Sequence, residues 1–366
     1  MAETVVYIHF FNFEKAFNSI HRDSLWCILR AFGVPLCIVQ IIKSVYHDFT
    51  WSMGSRGLNF LVKTGLHQGC VMSAVLFNLV IDRVMRHTAE DQPRGIRWTL
   101  FDMLEDLDFA GNLSLLSHTH QHMQEKTCCL SKFGSQAGLQ KSKRKTEVTT
   151  FNVNAPAPVL LDNQALPGTE KFTYLGSVVR LDEGTNEDIQ SRLSKARNAF
   201  RSLNAVLRSS HYSIKTKPKL YQSCVLSTLL YGSECWRMTK HDLAKLSSFL
   251  MTSLRKIQCI FWPRTISSHD LLARCQQEDT IITRKQWRWV GLMLRKDSNS
   301  ITKVAVHWTP EGRQQYGRLK TTWQRTVEAE MRNMNHPCWG IIQRLASDRQ
   351  GWRSFVAAVY ASWRDG

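Results

Sequence analysis

Acidic residues are scarce in this chain: 30 Asp and Glu stand against 48 Lys and Arg, for a formal net charge of +18. A surface this basic attracts polyanions, and nucleic acid is the usual one; the bland alternative is a basic face that is merely solvated. Cysteine occurs ten times but never as a Cys-x-x-Cys pair. That pattern excludes zinc-finger spacing and leaves reduced thiols in an intracellular, nuclear or cytoplasmic setting as the expectation. Adjacent Cys128 and Cys129 are poorly placed to bridge each other. Long apolar runs are missing too. Stretches such as Cys70–Ile81 are too short to span a bilayer. The opening Met1–Phe10 has no basic segment ahead of an apolar one, so neither a membrane span nor secretion is expected. Internal repeats and low-complexity linkers are also absent.

What is present is the composition of a folded protein, 43% apolar and 10% aromatic over 366 residues, enough for more than one core. The β-branched and aromatic run Val5–Phe11 predicts a buried strand. Leu25, Ile28, Leu29 and Phe32 fall at helical spacing, and Gly33-Val34-Pro35 ends that helix. A second helix follows over Pro35–Tyr46. Trp51–Val62 reads as a hairpin turning at Gly54 and Gly57, and Val71–Arg86 as a helix. Two short strands are expected within Phe101–Leu116 around a Gly111-Asn112 turn, a pair able to take positive φ without strain. A helix at Thr119–Phe133, a basic loop at Lys141–Lys145, a strand at Glu147–Val153 and a hairpin half at Lys171–Val179 complete an α/β pattern.

Past residue 185 the chain turns helical, basic and tryptophan-rich. Ile189, Leu193, Ala196, Phe200, Leu203 and Leu207 line one helix face, and further helices are expected near 217–231, 242–261, 283–295, 320–333 and 348–363.

Several short motifs recur in a fixed order. Asn12-Phe13-Glu14-Lys15-Ala16-Phe17-Asn18 opens the series, followed by Thr64-Gly65-Leu66-His67-Gln68-Gly69-Cys70-Val71-Met72-Ser73. Phe109-Ala110-Gly111-Asn112 comes next, then Gly138-Leu139 with Lys145-Thr146, and Phe172-Thr173-Tyr174-Leu175-Gly176. Arg288-Trp289-Val290-Gly291 and Gly317–Trp323 close it. Each alone is a weak signal. Together, in this order, they resemble the reverse transcriptases of non-LTR, LINE-type retrotransposons over nearly the whole chain.

The resemblance implies a right-hand polymerase palm, an antiparallel sheet with packed helices, over residues 1–183. It also implies a helical thumb-like region over 184–262 and a basic helical C-terminal region over 263–366. Phe17 takes the place of the aromatic gate against ribose hydroxyls. Gln68, Gly69, Ser73 and Lys145 take nucleotide- and template-contacting positions, with Ala74 where the family has proline. Tyr174, Leu175 and Gly176 correspond to the primer grip. The given sequence opens almost at the first palm strand, so the resemblance implies a clamp without its fingers.

The departures matter most where charge is needed. A polymerase palm holds two divalent ions about 3.5–4 Å apart. At an effective dielectric of 20 these repel by roughly 16 kcal/mol, which anionic ligands must offset together with substrate phosphates. The family's aspartates are replaced here by Asn12, Gly111 and Asn112. An amide oxygen is a weak dipole and glycine offers nothing, so no intact catalytic residue, no magnesium and no turnover are expected. Glu105, Asp106, Asp108 and Glu14 are the acids near enough to be weighed as substitutes. Of these, Glu14 keeps the strand parity of Asn12 but stands two residues away, roughly 6–7 Å along the strand. The remaining expectation is non-specific, salt-dependent binding of RNA or DNA, with the oligomeric state open. Lys141, Lys143, Arg144 and Lys145 can be read as phosphate contacts or as a solvated loop, and Trp287, Trp289 and Trp323 as base-stacking platforms or as core.

Overall fold

The computed structural model describes residues 5–47, 50–52, 57, 59–89, 93–153, 155–180, 185–209, 211–213, 216–275, 281–308, 322–334 and 338–362. The chain divides into two compact units, the first ending at Leu175 and the second beginning at Gly176.

The first unit is built on β1 (Val6–Glu14), which alternates buried and half-buried residues along most of its length. Its neighbours are β2 (Asp106–Phe109), β3 (Asn112–Ser117), β4 (Gln140–Lys141) and β5 (Glu147–Phe151). β3 pairs with β1 on one side and β2 pairs with β3 beyond it. On the other side β1 pairs with β5 along Val6–Phe10 and with β4 at Phe13–Glu14. Every one of these ladders is antiparallel.

Register sorts the side chains. Tyr7, Phe11, Phe13, Leu113, Leu115 and Val148 point to one face and form the buried core with helices α3 (Val71–Ala89) and α4 (His120–Gln136). In α3, Leu76, Phe77, Val80, Ile81, Val84 and Met85 recur at helical spacing and are all buried. Thr119 caps α4, its hydroxyl accepting from His122 N at 3.2 Å. Two shorter helices, α1 (Arg22–Ala31) and α2 (Leu36–Tyr46), precede α3. Gly33, at φ 78, stops α1: Val34 N reaches Leu29 O and Gly33 N reaches Arg30 O, satisfying two end carbonyls.

The α/β class expected from the sequence is therefore observed: an antiparallel sheet with helices packed on it, followed by helices. β1 continues to Glu14, past the expected end at Phe11. Trp51 and Phe60 pair as a hairpin requires, while Gly54 lies outside the described residues.

The second unit contains α5 (Asn186–Ser202), α6 (Lys240–Ile257), α7 (Ile281–Leu294), α8 (Trp323–Asn333), α9 (Trp339–Ser347) and α10 (Arg349–Ser362). Helices at Ser268–Cys275 and Ile301–His307, and α9, carried too short an apolar pattern to be expected from the sequence. The helix expected near 217–231 is interrupted by a π turn at Gln222–Leu226. Two buried clusters hold the unit. One joins α5 and α6 through Leu193, Leu246, Leu250 and Leu254. The other joins α7 to α10 through Trp287, Val290, Val327, Ile342 and Trp352. All ten cysteines are free, and no described helix is long and apolar enough to cross a membrane.

Candidate functional site

Asn12 and Asn112 are direct cross-strand partners on β1 and β3. Their side chains meet: Asn12 Nδ2 donates to Asn112 Oδ1 at 3.0 Å. The two amides share a neutral hydrogen bond, which satisfies a donor and an acceptor at once.

The adjoining turn differs from expectation. Phe109 pairs with Asn112, so Ala110 and Gly111 form the two-residue loop and Asn112 is already in the strand. The positive φ, 53°, falls on Ala110 rather than on Gly111 or Asn112. The ladder closes one residue earlier than the Gly-Asn pattern implied, because Asn112 is held in register by both β1 and β2. A Cβ added to Gly111 would meet Ala16 Cβ at 3.6 Å and Phe77 at 3.9 Å, ordinary contacts. Room for a side chain remains there.

The acids upstream sit on the other face. Asp106 and Asp108 pair with Leu115 and Leu113, whose side chains enter the core, whereas Asn112 and Phe109 share the opposite face with Asn12. Burial and the neighbouring Asp108 carboxylate push the Asp106 carboxyl up to about 6, against the pull of Lys126. Lys126, only 1% exposed, pairs with Glu105 and donates to Glu105 O and Leu116 O, both at 2.9 Å. Glu105 Oε1 also accepts from Arg94 N and Gly95 N at 2.8 Å. These charges pin the edge strand. The sequence did not mark Lys126, since a lysine in a polar helical stretch reads as solvated. Glu14 is exposed at the end of β1, on the face of Asn12. Among the described residues no group of three or more His, Cys, Asp or Glu converges to hold a metal ion.

The other motif residues are placed as follows. Phe17 is half-buried and stacks on Phe77, ring centroids 4.2 Å apart. Gln68 donates to Asn18 Oδ1 at 3.1 Å. Gly65 N bonds Ile20 O, and a Cβ on Gly65 would lie 2.6 Å from the Asn18 backbone, so this close approach requires glycine. Gly69 has φ 87 and open space around it. Ser73 is buried, its hydroxyl 2.9 Å from Tyr46 OH, and offers no free contact. Lys145 is exposed, whereas Lys141 is tied to Asp162 at 2.6 Å. Phe172 stacks on Phe10 at 3.8 Å, and Tyr174 OH donates to Leu107 O at 3.2 Å. Leu175 and Gly176 both take positive φ, 48° and 83°. Trp287 is 1% exposed, and Trp289 and Trp323 pack edge to face, so all three belong to the core reading. Gly317–Thr321 lie outside the described residues.

Residues 2–179, just under half of the chain, match the family of reverse transcriptases, RNA-dependent DNA polymerases. Its relatives are of the non-LTR retrotransposon kind. The chain is 25% identical over 244 residues to the Retrovirus-related Pol polyprotein of the R2DM element of Drosophila melanogaster, covering 62% of the chain and 23% of that polyprotein. It is 27% identical over 188 residues to the R2 polyprotein of Nasonia vitripennis, spanning 18% of it. A transposon-derived protein of Caenorhabditis elegans is 22% identical over 273 residues, and 95% of it is covered. Among solved structures, telomerase from Candida albicans in complex with a telomeric RNA fragment is similar at a TM-score of 0.37 and 12% identity, over 77% of this chain and 47% of that one.

Proposed function

We propose that this is a retrotransposon-derived reverse transcriptase that has lost RNA-directed DNA polymerase activity and retains non-specific, salt-dependent nucleic-acid binding. The observation that carries it is the hydrogen-bonded pair Asn12–Asn112 beside a side-chain-free Gly111. Two divalent ions there would meet amide dipoles in place of carboxylates, while Asp106 and Asp108 lie across the sheet. Each 1.36 kcal/mol of lost transition-state stabilisation costs about tenfold in rate, and three missing anionic ligands far exceed that. The protein therefore works without a bound magnesium ion. The net charge of +18 supports binding to RNA or DNA, and the unpaired cysteines support an intracellular setting. In the same reading residues 1–183 are the palm, 184–262 the thumb and 263–366 a basic tail.

Primer extension on an RNA template with magnesium or manganese tests the loss. No template-dependent DNA is expected above background. Synthesis that Glu14→Gln abolishes would overturn the reading and assign the metal to the acid that shares the Asn12 face.

A further inference from the structure

In the second unit, α5 and α6 leave an open groove of about 860 Å³ between them. From α5 it is lined by Leu193, Arg197, Phe200 and Arg201, and from α6 by Lys245, Phe249 and Lys256 among others, each set spaced to share one helix face. Its floor is apolar and aromatic: Leu193 is buried, and Phe200 and Phe249 are half-buried against the core. Its rim is cationic. Arg197, Arg201 and Lys256 are exposed and make none of the ion pairs found among the described residues, and Lys245 donates to the Asn186 amide at 3.0 Å.

None of the residues lining the groove is acidic. The buried acids of these helices are engaged elsewhere. Asp188 accepts from Trp236 Nε1 at 2.8 Å and from Val178 N at 3.0 Å, and Asp242 accepts from the Thr239 hydroxyl at 2.6 Å. The positive field of the rim is therefore unopposed.

We propose that this groove is a cleft for single-stranded nucleic acid, with phosphates on the rim and bases against Phe200 and Phe249; this rests on the nucleic-acid reading above and adds its site and strandedness. A duplex keeps its base faces stacked inside and presents backbone and groove edges, so an aromatic floor offers it nothing. A single strand offers both the charge and the open base faces that the groove matches.

The test is fluorescence anisotropy on the full chain with a labelled oligothymidylate and a duplex of equal length, across a salt series. Two variants accompany the wild type, each checked for an unchanged melting temperature. The first is Arg197→Ala/Arg201→Ala/Lys256→Ala. The second is Phe249→Leu, which keeps the apolar packing and removes the ring. The single strand should bind at least about tenfold tighter than the duplex. The triple variant should flatten the slope of log K against log salt by about 2, at roughly 0.7 per phosphate contact. Phe249→Leu should weaken the single strand about tenfold and leave the duplex unchanged. Equal affinity for strand and duplex, or variants that bind like the wild type, would overturn the cleft while nucleic-acid binding stood. A wild type with no salt slope would remove both.

Discussion

Two polar clusters lie on opposite sides of one sheet, close together along β2 and β3. On one side Asn12 and Asn112 share a neutral hydrogen bond, at positions the proposed function takes to have lost carboxylates. On the other, Lys126, almost wholly buried, pairs with Glu105 beside Asp106, although burial lowers the Lys126 ammonium and raises the Asp106 carboxyl. In the proposed reading, charge is gone where it would serve catalysis and kept where it holds the edge strand. The difference is energetic. A carboxylate pair beside a turn repels itself unless a cation is bound, so replacing it relieves the fold. A buried lysine that binds two carbonyls and a carboxylate cannot be removed without leaving those groups unpaired.

The sharpest way to break this contrast is Lys126→Met. Stability should fall by about 3–5 kcal/mol in a denaturant titration, the usual cost of breaking a buried pair, against about 1 kcal/mol for Asn12→Ala. Equal losses would mean that the two clusters do the same work.

Restoring the acids probes the other side. Asn12→Asp/Gly111→Asp/Asn112→Asp should lose about 1–4 kcal/mol without divalent cations, the Coulomb range for unit charges about 4 Å apart at dielectrics of 80 to 20. Manganese should return that stability in a thermal melt of the variant and leave the wild type unmoved. A variant blind to manganese would show that the turn no longer holds the geometry of a cation site.

A smaller effect comes from Asp106. Its folded carboxyl, raised to about 6, binds a proton more tightly than the unfolded one. Its contribution is therefore complete at acid pH, below the ordinary carboxylate range, and is lost as pH climbs through about 6. Asp106→Asn should remove at most about 3 kcal/mol of pH-dependent stability between roughly pH 4 and 6. An unchanged pH profile would place Asp106 in water and separate it from the Lys126 cluster.

Much of the first unit could be read in advance, because period-two strands and period-3.6 helices bury one face each and write that face into the residue order. Asn12, Gly111 and Asn112 could be found from spacing within their motifs. Their hydrogen bond could not, since 100 residues separate its partners. Nor could the position of the turn, which is set by two ladders meeting at Asn112. Ser73 read as a contact residue and is spent on Tyr46; Lys141 read as one of four cations of a phosphate-contacting or solvated loop and is held by Asp162. Local pattern says which residue type stands where, but not what lies across from it.

From the residue order alone came the uncharged residues at positions 12, 111 and 112, the strand and helix periods and the excess of positive charge, each a property of neighbours along the chain. Only tertiary packing decided that the acids of β2 face away from the amide pair, that Lys126 is interior, and that unopposed cations line a groove between α5 and α6. Burial and pairing depend on chain segments far apart in sequence, and their free energies exist only once those segments have met.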